Sequence, residues 1–224
     1  MSRINIFEPG KYYHVYNRGV DKRKVFLNNS DYYRFLRTMY FCNSKKHVEL
    51  RRVDHISFKD FKTEKITGIV AYTLMSNHFH FLLEETEEGG ISSFMQRLGT
   101  AYTMYFNKKN DRSGSLLQGP FKVKEITGDG YLNSVFLYIH ANPLDVTLPD
   151  WQKLFLDKTK TELVLNNMKS YTYSSFVDYS SPVSRDQGLI LSKGDIEKYI
   201  SINETQKSIK EWLLYKDEIR DIEK

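Results

Sequence analysis

Residues 66–84 read ITGIVAYTLMSNHFHFLLE, and this stretch predicts a β-hairpin. Its first half is apolar and rich in β-branched residues, Ser76 and Asn77 supply turn chemistry, and its second half is again apolar and aromatic. Because successive side chains of a strand point to opposite faces, His78 and His80 share one face. The phenylalanines that alternate with them point to the other face.

Two imidazoles on one face form half of a divalent-metal site. Imidazole binds metals in its neutral form, so such a pair needs one further donor and an open position to polarise a bound substrate. The chain has six histidines, so a His-x-His pair also arises readily by chance. The pair alone therefore leaves a metal site and a coincidence both open.

The composition is that of a folded globular protein. The chain has 224 residues, 40% of them hydrophobic, which fits one domain of moderate size with appendages. Its net charge of +5 and its pI near 9.0 favour a polyanionic partner. The single cysteine, Cys42, excludes an internal disulfide and indicates a reducing compartment. No stretch approaches the roughly twenty apolar residues of a membrane span, so we expect a cytoplasmic protein without a membrane partner.

The periodicity along the chain predicts the element order βαββαβα. The predicted elements are a strand from Tyr12 to Asn17, a helix from Ser30, the hairpin, a helix from Ile91 to about Lys108, an extended segment from Leu116 to Ile126, and a helix from Tyr131 to about Ala141.

This order predicts an α+β sandwich, with helices on one face of a mainly antiparallel sheet and the other face free for a ligand. We expect a catalytic domain over residues 1–145. Residues 146–224 are predicted to form a C-terminal extension that packs partly on the domain and is mostly helical at its end.

The last helix of the domain carries a candidate nucleophile. At about 100° per residue, Tyr131, Tyr138 and Asn142 fall on one flank of its apolar stripe. Tyr138 and Asn142 lie one turn apart, which predicts a semi-exposed hydroxyl beside an amide oxygen that could be the third metal donor. Spacing alone leaves ordinary interpretations open, namely a tyrosine at the rim of the core and a helix-ending residue before Pro143.

Four ordered motifs and a short tail motif, spread over most of the first 180 residues, resemble those of the HUH single-tyrosine transposases. Among these, the chain is most similar to the REP-associated tyrosine transposase branch. The motifs are Tyr13–Gly19, Ala71–Leu83, Leu117–Lys122, Tyr138–Leu144, and the tail Tyr173-Ser174-Ser175 with Tyr179.

The resemblance implies a ferredoxin-like or RRM-like fold and metal-dependent cleavage and rejoining of single-stranded DNA through a 5′-phosphotyrosine. It implies that His78 and His80 are metal ligands, that Tyr138 is the nucleophile, and that Asn142 occupies the third-ligand position. The expected metal is Mg²⁺ or Mn²⁺, because the site must stay open to phosphate and solvent. The expected partner is single-stranded or hairpin DNA, bound by a monomer or a homodimer.

Basic and polar side chains around these motifs are candidates for DNA contact. Lysine and arginine neutralise phosphates. Each basic residue taken alone fits an ordinary solvated surface charge equally well. The candidates are Asn17, Arg18, Lys108, Lys109, Arg112, Lys122 and Lys124.

Two other functions remain compatible with the sequence. One is a non-catalytic module that binds single-stranded nucleic acid, against which the joint presence of His78, His80, Tyr138 and Asn142 argues. The other is a relaxase or replication initiator, which would share the histidine pair and the tyrosine. The surrounding motifs favour the transposase.

Overall fold

The computed structural model of the chain describes residues 7–53, 55–156, 160–181 and 184–194. Within these ranges the strands are β1 (Tyr12–Arg18), β2 (Gly68–Met75), β3 (His78–Glu84) and β4 (Lys122–Ile126). The helices are α1 (Asn29–Cys42), α2 (Gly90–Lys109), α3 (Asp129–Ala141), α4 (Leu144–Thr147), α5 (Trp151–Leu156), α6 (Thr161–Ser170) and α7 (Phe176–Ser180). Short 3-10 turns span Val20–Lys22, Phe58–Asp60 and Asp186–Ile190.

The strands form one antiparallel sheet in the order β2-β3-β1-β4. The first seven longer elements follow the predicted order βαββαβα, and the α+β, ferredoxin-like fold class is confirmed. The predicted hairpin is also present, since β2 pairs with β3 from Met75 opposite His78 to Gly68 opposite Glu84. Because β3 and β1 are the two central strands, side chains from the start of β3 lie beside those of β1.

Helices cover both faces of the sheet, so the prediction that one face is free was wrong. On one face, α1 and α2 pack on Phe79 and Phe81, with ring centroids 5.3 Å between Phe35 and Phe79. On the opposite face, α3 packs its apolar residues on β2 and β3, with Val135 and Leu82 in the same core cluster. The sheet is thus the middle layer of three.

The reason for this arrangement lies in the composition of β2 and α3. All eight residues of β2 are buried, the pattern of a strand enclosed on both faces. Every residue from 132 to 141 in α3 is buried as well, because α3 has the sheet on one side and the later helices on the other. When a helix is buried on all sides, an apolar stripe in its sequence does not show which side faces the sheet.

The outer edge of β2 is paired with residues from the C-terminal extension. The Leu74 amide donates to the Tyr173 carbonyl and the Ser175 amide donates to the Tyr72 carbonyl, both at 3.0 Å. Farther along, the Ser192 amide donates to the Ile69 carbonyl at 2.8 Å. Backbone groups that would otherwise lie unpaired at a sheet edge are therefore satisfied by the extension.

The described part of the extension packs on the rest of the chain, and Trp151, Val164 and Phe176 join the core around α3. A domain boundary near residue 145 stays a prediction. The predicted helical end of the extension falls on residues 195–224, which lie outside the described residues. No helix in the described ranges is both long enough and apolar enough to cross a bilayer.

Candidate active site

His78 and His80 lie on the face of β3 that α3 covers. Their ring centroids are 5.0 Å apart and their planes are perpendicular. His80 is fully buried, whereas His78 is half-buried at the start of the strand. The alternation of the strand therefore does bring both imidazoles to one face.

Burial keeps both imidazoles in the neutral form at pH 7. Loss of solvation, together with a smaller effect of the charge of Arg18, lowers the pKa of His78 to about 4. Loss of solvation also holds the pKa of His80 well below its usual value, with smaller contributions from His78 and His14. Neutral imidazole is the form that binds a metal ion.

Hydrogen bonds occupy the Nδ1 atom of each histidine. His78 Nδ1 lies 2.7 Å from Asn77 Oδ1, and since an amide oxygen can only accept, His78 carries its proton on Nδ1. His80 Nδ1 lies 3.0 Å from Nε2 of His14, which comes from β1. Nε2 is therefore the nitrogen of His78 that could bind a metal.

Asn142 lies beside His78, immediately after α3. Its side chain is close enough to His78 to raise the pKa of that imidazole slightly, against the effect of burial, and its Nδ2 donates to the Tyr138 carbonyl oxygen at 2.9 Å. The bond to Tyr138 orients the amide, so the oxygen is the atom of Asn142 that could act as a ligand.

These residues fit a divalent ion with open coordination positions. Two neutral imidazoles and an amide oxygen would supply three donors, which leaves room for phosphate or water. Across the described ranges, no group of three or more His, Cys, Asp or Glu residues is arranged to hold a metal. A third donor beside the two imidazoles must therefore be of another type, such as the amide oxygen of Asn142.

Tyr138 packs directly on the histidines. Its ring centroid lies 5.6 Å from that of His80 and 5.6 Å from that of His14, nearly perpendicular to both. Tyr138 is only 4% exposed, so the prediction of a semi-exposed side chain was wrong. The helical wheel placed Tyr138 at the rim of one apolar stripe, but α3 is enclosed on all sides.

Tyr131 occupies a different environment on the same helix. The centroid of its ring lies 5.3 Å from Nζ of Lys124, in the middle of β4. Tyr138 is therefore the tyrosine of α3 that packs on His80, although both tyrosines were placed on one flank from the sequence.

A pocket of about 190 Å³ opens at the histidines and is basic. It is bounded by polar and cationic side chains from β1, β3, the turn before β3 and the segment leading into β4. Its lining residues are Tyr16, Asn17, Arg18, Lys22, Asn77, His78, His80, Gln118 and Lys122. None of these is acidic, so the pocket favours an anionic ligand. Tyr138 is not among them.

Three of the predicted DNA-contact residues line this pocket, namely Asn17, Arg18 and Lys122. Arg18 Nε donates to Gln118 Oε1 at 2.6 Å, and Asn17 Nδ2 donates to the Gly119 carbonyl at 3.2 Å. These bonds fix the segment before β4 against β1.

The other four predicted DNA-contact residues do not line the pocket. Lys124 lies two residues beyond Lys122 on β4, beside Tyr131. Lys108, Lys109 and Arg112 lie at or just after the C-terminal end of α2. Lys109 Nζ donates to the buried Asp31 carboxylate at 2.5 Å, so its charge has a structural partner.

Sequence reasoning missed Lys22, Asn77 and Gln118 as pocket residues. Asn77 and Gln118 belong to the quoted motifs, and their positions beside His78 and Lys122 were the available signals. Lys22 had no such signal, because a turn with φ of 58° at that residue brings it to the pocket.

Part of the chain is similar to a known protein family. Residues 55–142 match the family described as "Transposase IS200 like". None of the curated proteins matches the chain. A solved structure described as a REP-associated tyrosine transposase bound to a REP hairpin is 16% identical, with a TM-score of 0.49, and the match covers 88% of this chain and 92% of that one.

The family match confirms, for residues 55–142, the resemblance to the single-tyrosine transposases. That segment begins before β2 and ends at Asn142, so it contains both histidines and Tyr138.

Proposed function

We propose that this chain, whose residues 55–142 match the family described as "Transposase IS200 like", is a metal-dependent endonuclease and strand transferase acting on single-stranded DNA. The observation that carries the proposal is the packing of the Tyr138 ring against the His80 ring, whose centroids are 5.6 Å apart. A tyrosine, a histidine pair and a basic pocket then lie together.

Tyr138 is the proposed nucleophile. Its hydroxyl oxygen attacks the scissile phosphorus, the bond from phosphorus to the 3′ oxygen breaks, and a bond from phosphorus to the tyrosine oxygen forms. The hydroxyl proton passes to water, and the departing 3′ oxygen takes a proton from water, so that charge and atoms balance. The products are a 5′-phosphotyrosine and a free 3′-hydroxyl, so the reverse attack by another 3′-hydroxyl rejoins DNA without a nucleotide cofactor.

His78, His80 and Asn142 would hold the metal. A bound Mg²⁺ or Mn²⁺ supplies Lewis-acid polarisation of the phosphate. The chain itself keeps both imidazoles neutral through burial and orients His78 through its bond to Asn77. Arg18 and Lys122 at the pocket would bind phosphates on either side of the scissile bond.

A non-catalytic module for single-stranded nucleic acid is the second candidate. The burial of Tyr138, together with its absence from the pocket lining, favours this alternative. Catalysis requires the tyrosine hydroxyl to reach a phosphate in the pocket, whereas binding requires only the basic lining.

Covalent capture separates the two functions. The full chain is incubated with 3′-labelled single-stranded oligonucleotides that contain palindromes, with Mn²⁺ or with excess chelator, and resolved on a denaturing gel. If the chain is a transposase, we expect a labelled protein adduct that forms only when the metal is present. DNA binding without an adduct on any substrate would support the binding module.

Replacing Lys122 by alanine is expected to weaken DNA binding irrespective of sequence. A plot of log K against log salt has a negative slope, and loss of one phosphate contact on a single strand makes that slope shallower by about 0.7. Fluorescence anisotropy over a salt series measures this slope. The matched control is Lys153→Ala on α5, whose side chain is 81% exposed and does not line the pocket. Equal slopes for wild type and Lys122→Ala would show that DNA binds elsewhere.

A further inference from the structure

His14 connects the proposed metal site to the proposed nucleophile. It lies on the central strand β1, opposite Leu82 of β3 and Lys124 of β4. Its side chain is fully buried, and its Nε2 lies 3.0 Å from His80 Nδ1. The two imidazoles are stacked, with centroids 5.2 Å apart and 19° between their planes.

The same imidazole also supports Tyr138. The Tyr138 ring meets His14 edge to face at 5.6 Å, the distance at which it also meets His80. His14 does not line the pocket, so it does not touch a ligand bound there. Any influence on the reaction therefore acts through the rings it contacts, which are those of His80, Tyr138 and Tyr16, the last stacked on it at 5.0 Å.

The hydrogen bond between the two histidines has two possible directions. If His80 Nδ1 donates to His14 Nε2, then His80 Nε2 keeps its lone pair for a metal. If His14 Nε2 donates instead, the proton of a neutral His80 lies on Nε2, which then cannot bind a metal. Partners of this kind fix the tautomer and ring orientation of metal-binding histidines.

We propose that His14 is a positioning residue that accepts a hydrogen bond from His80 Nδ1, keeps His80 Nε2 available to the metal, and packs against the Tyr138 ring. This inference rests on the proposed function. Asn77 acts on His78 in the same way, through its 2.7 Å bond to Nδ1. Each histidine of the pair thus has its own orienting partner.

Two variants of similar size separate hydrogen bonding from packing. His14→Gln keeps an amide oxygen that can accept from His80, whereas His14→Met fills similar space without a strong acceptor. The control is Asn43→Met, which removes another buried polar side chain. Its Nδ2 donates to the Thr67 carbonyl at 2.9 Å and its Oδ1 accepts from the Thr67 amide at 3.0 Å, beside the end of β2 that lies away from His78.

Mn²⁺ binding to the full chain without DNA is measured by calorimetry, alongside thermal unfolding. We expect His14→Met to weaken Mn²⁺ binding by about 10- to 100-fold, the usual loss when the hydrogen-bond partner of a metal-binding histidine is removed. His14→Gln should restore most of this loss, and Asn43→Met should bind Mn²⁺ like the wild type. Wild-type affinity in folded His14→Met would overturn the inference while leaving the proposed function intact.

Two further results keep the outcomes distinct. If the wild type binds no Mn²⁺, the proposed metal-dependent function fails, and this inference fails with it. If His14→Met does not fold, the ¹⁵N resonances of the His80 ring in the metal-free wild type decide the question. A protonated Nδ1 supports the inference, and a protonated Nε2 overturns it.

Discussion

Phenylalanine at position 138 is expected to abolish the covalent protein–DNA adduct. The substitution removes only the hydroxyl oxygen, so the ring contacts with His14 and His80 remain and DNA binding should persist. Loss of a covalent nucleophile lowers the rate by about 10⁴-fold or more in comparable cases. Single-turnover cleavage of a 3′-labelled oligonucleotide, followed by a denaturing gel, measures this loss.

Tyr131→Phe is the matched control, because it makes the same chemical change on the same helix. Tyr131 lies beside Lys124, so removing its hydroxyl should leave the adduct yield at the wild-type level. An adduct that survives in Tyr138→Phe and disappears in Tyr131→Phe would assign the nucleophile to Tyr131 instead.

His78→Ala and His80→Ala should each eliminate Mn²⁺-dependent cleavage. Each change removes one of the two imidazole donors, and Lewis-acid stabilisation of a phosphate is worth several kcal/mol, so a loss of at least about 10³-fold is expected. Cleavage rates are measured together with Mn²⁺ affinity, which should fall in parallel.

His55→Ala serves as the control, since His55 is exposed and does not line the pocket. Circular dichroism establishes that each variant is folded. If folded His78→Ala and His80→Ala both cleave at the wild-type rate, or if the wild type cleaves fully in excess chelator, the metal assignment is wrong.

Local patterns predicted the hairpin and the shared face of His78 and His80. A strand alternates its side chains with a period of two, so facing is determined within a few residues. The element order likewise follows from periodicity and turn residues. The relation of His14 to His80 depends on the pairing of β1 with β3 across 66 positions, and no local pattern contains that register.

The errors arose where packing between distant elements decides the outcome. The second face of the sheet looked free because the sequence does not show that α3 docks there. Tyr138 looked semi-exposed for the same reason. Lys109 looked available for DNA, but its Nζ lies 2.5 Å from Asp31, which is 78 positions earlier in the chain.

The pairing of residues 173–175 with β2 has a consequence for the kinetics of folding. The hydrogen bond between the Ser175 side chain and the Tyr72 amide joins residues 103 positions apart, and closing so large a loop is slow. Until residues 173–175 have been synthesised and have docked, the outer edge of β2 therefore stays unpaired, and unpaired strand edges promote aggregation. Ser175 also bonds to His140, two residues from Tyr138, so α3 gains this anchor only after the late segment has docked.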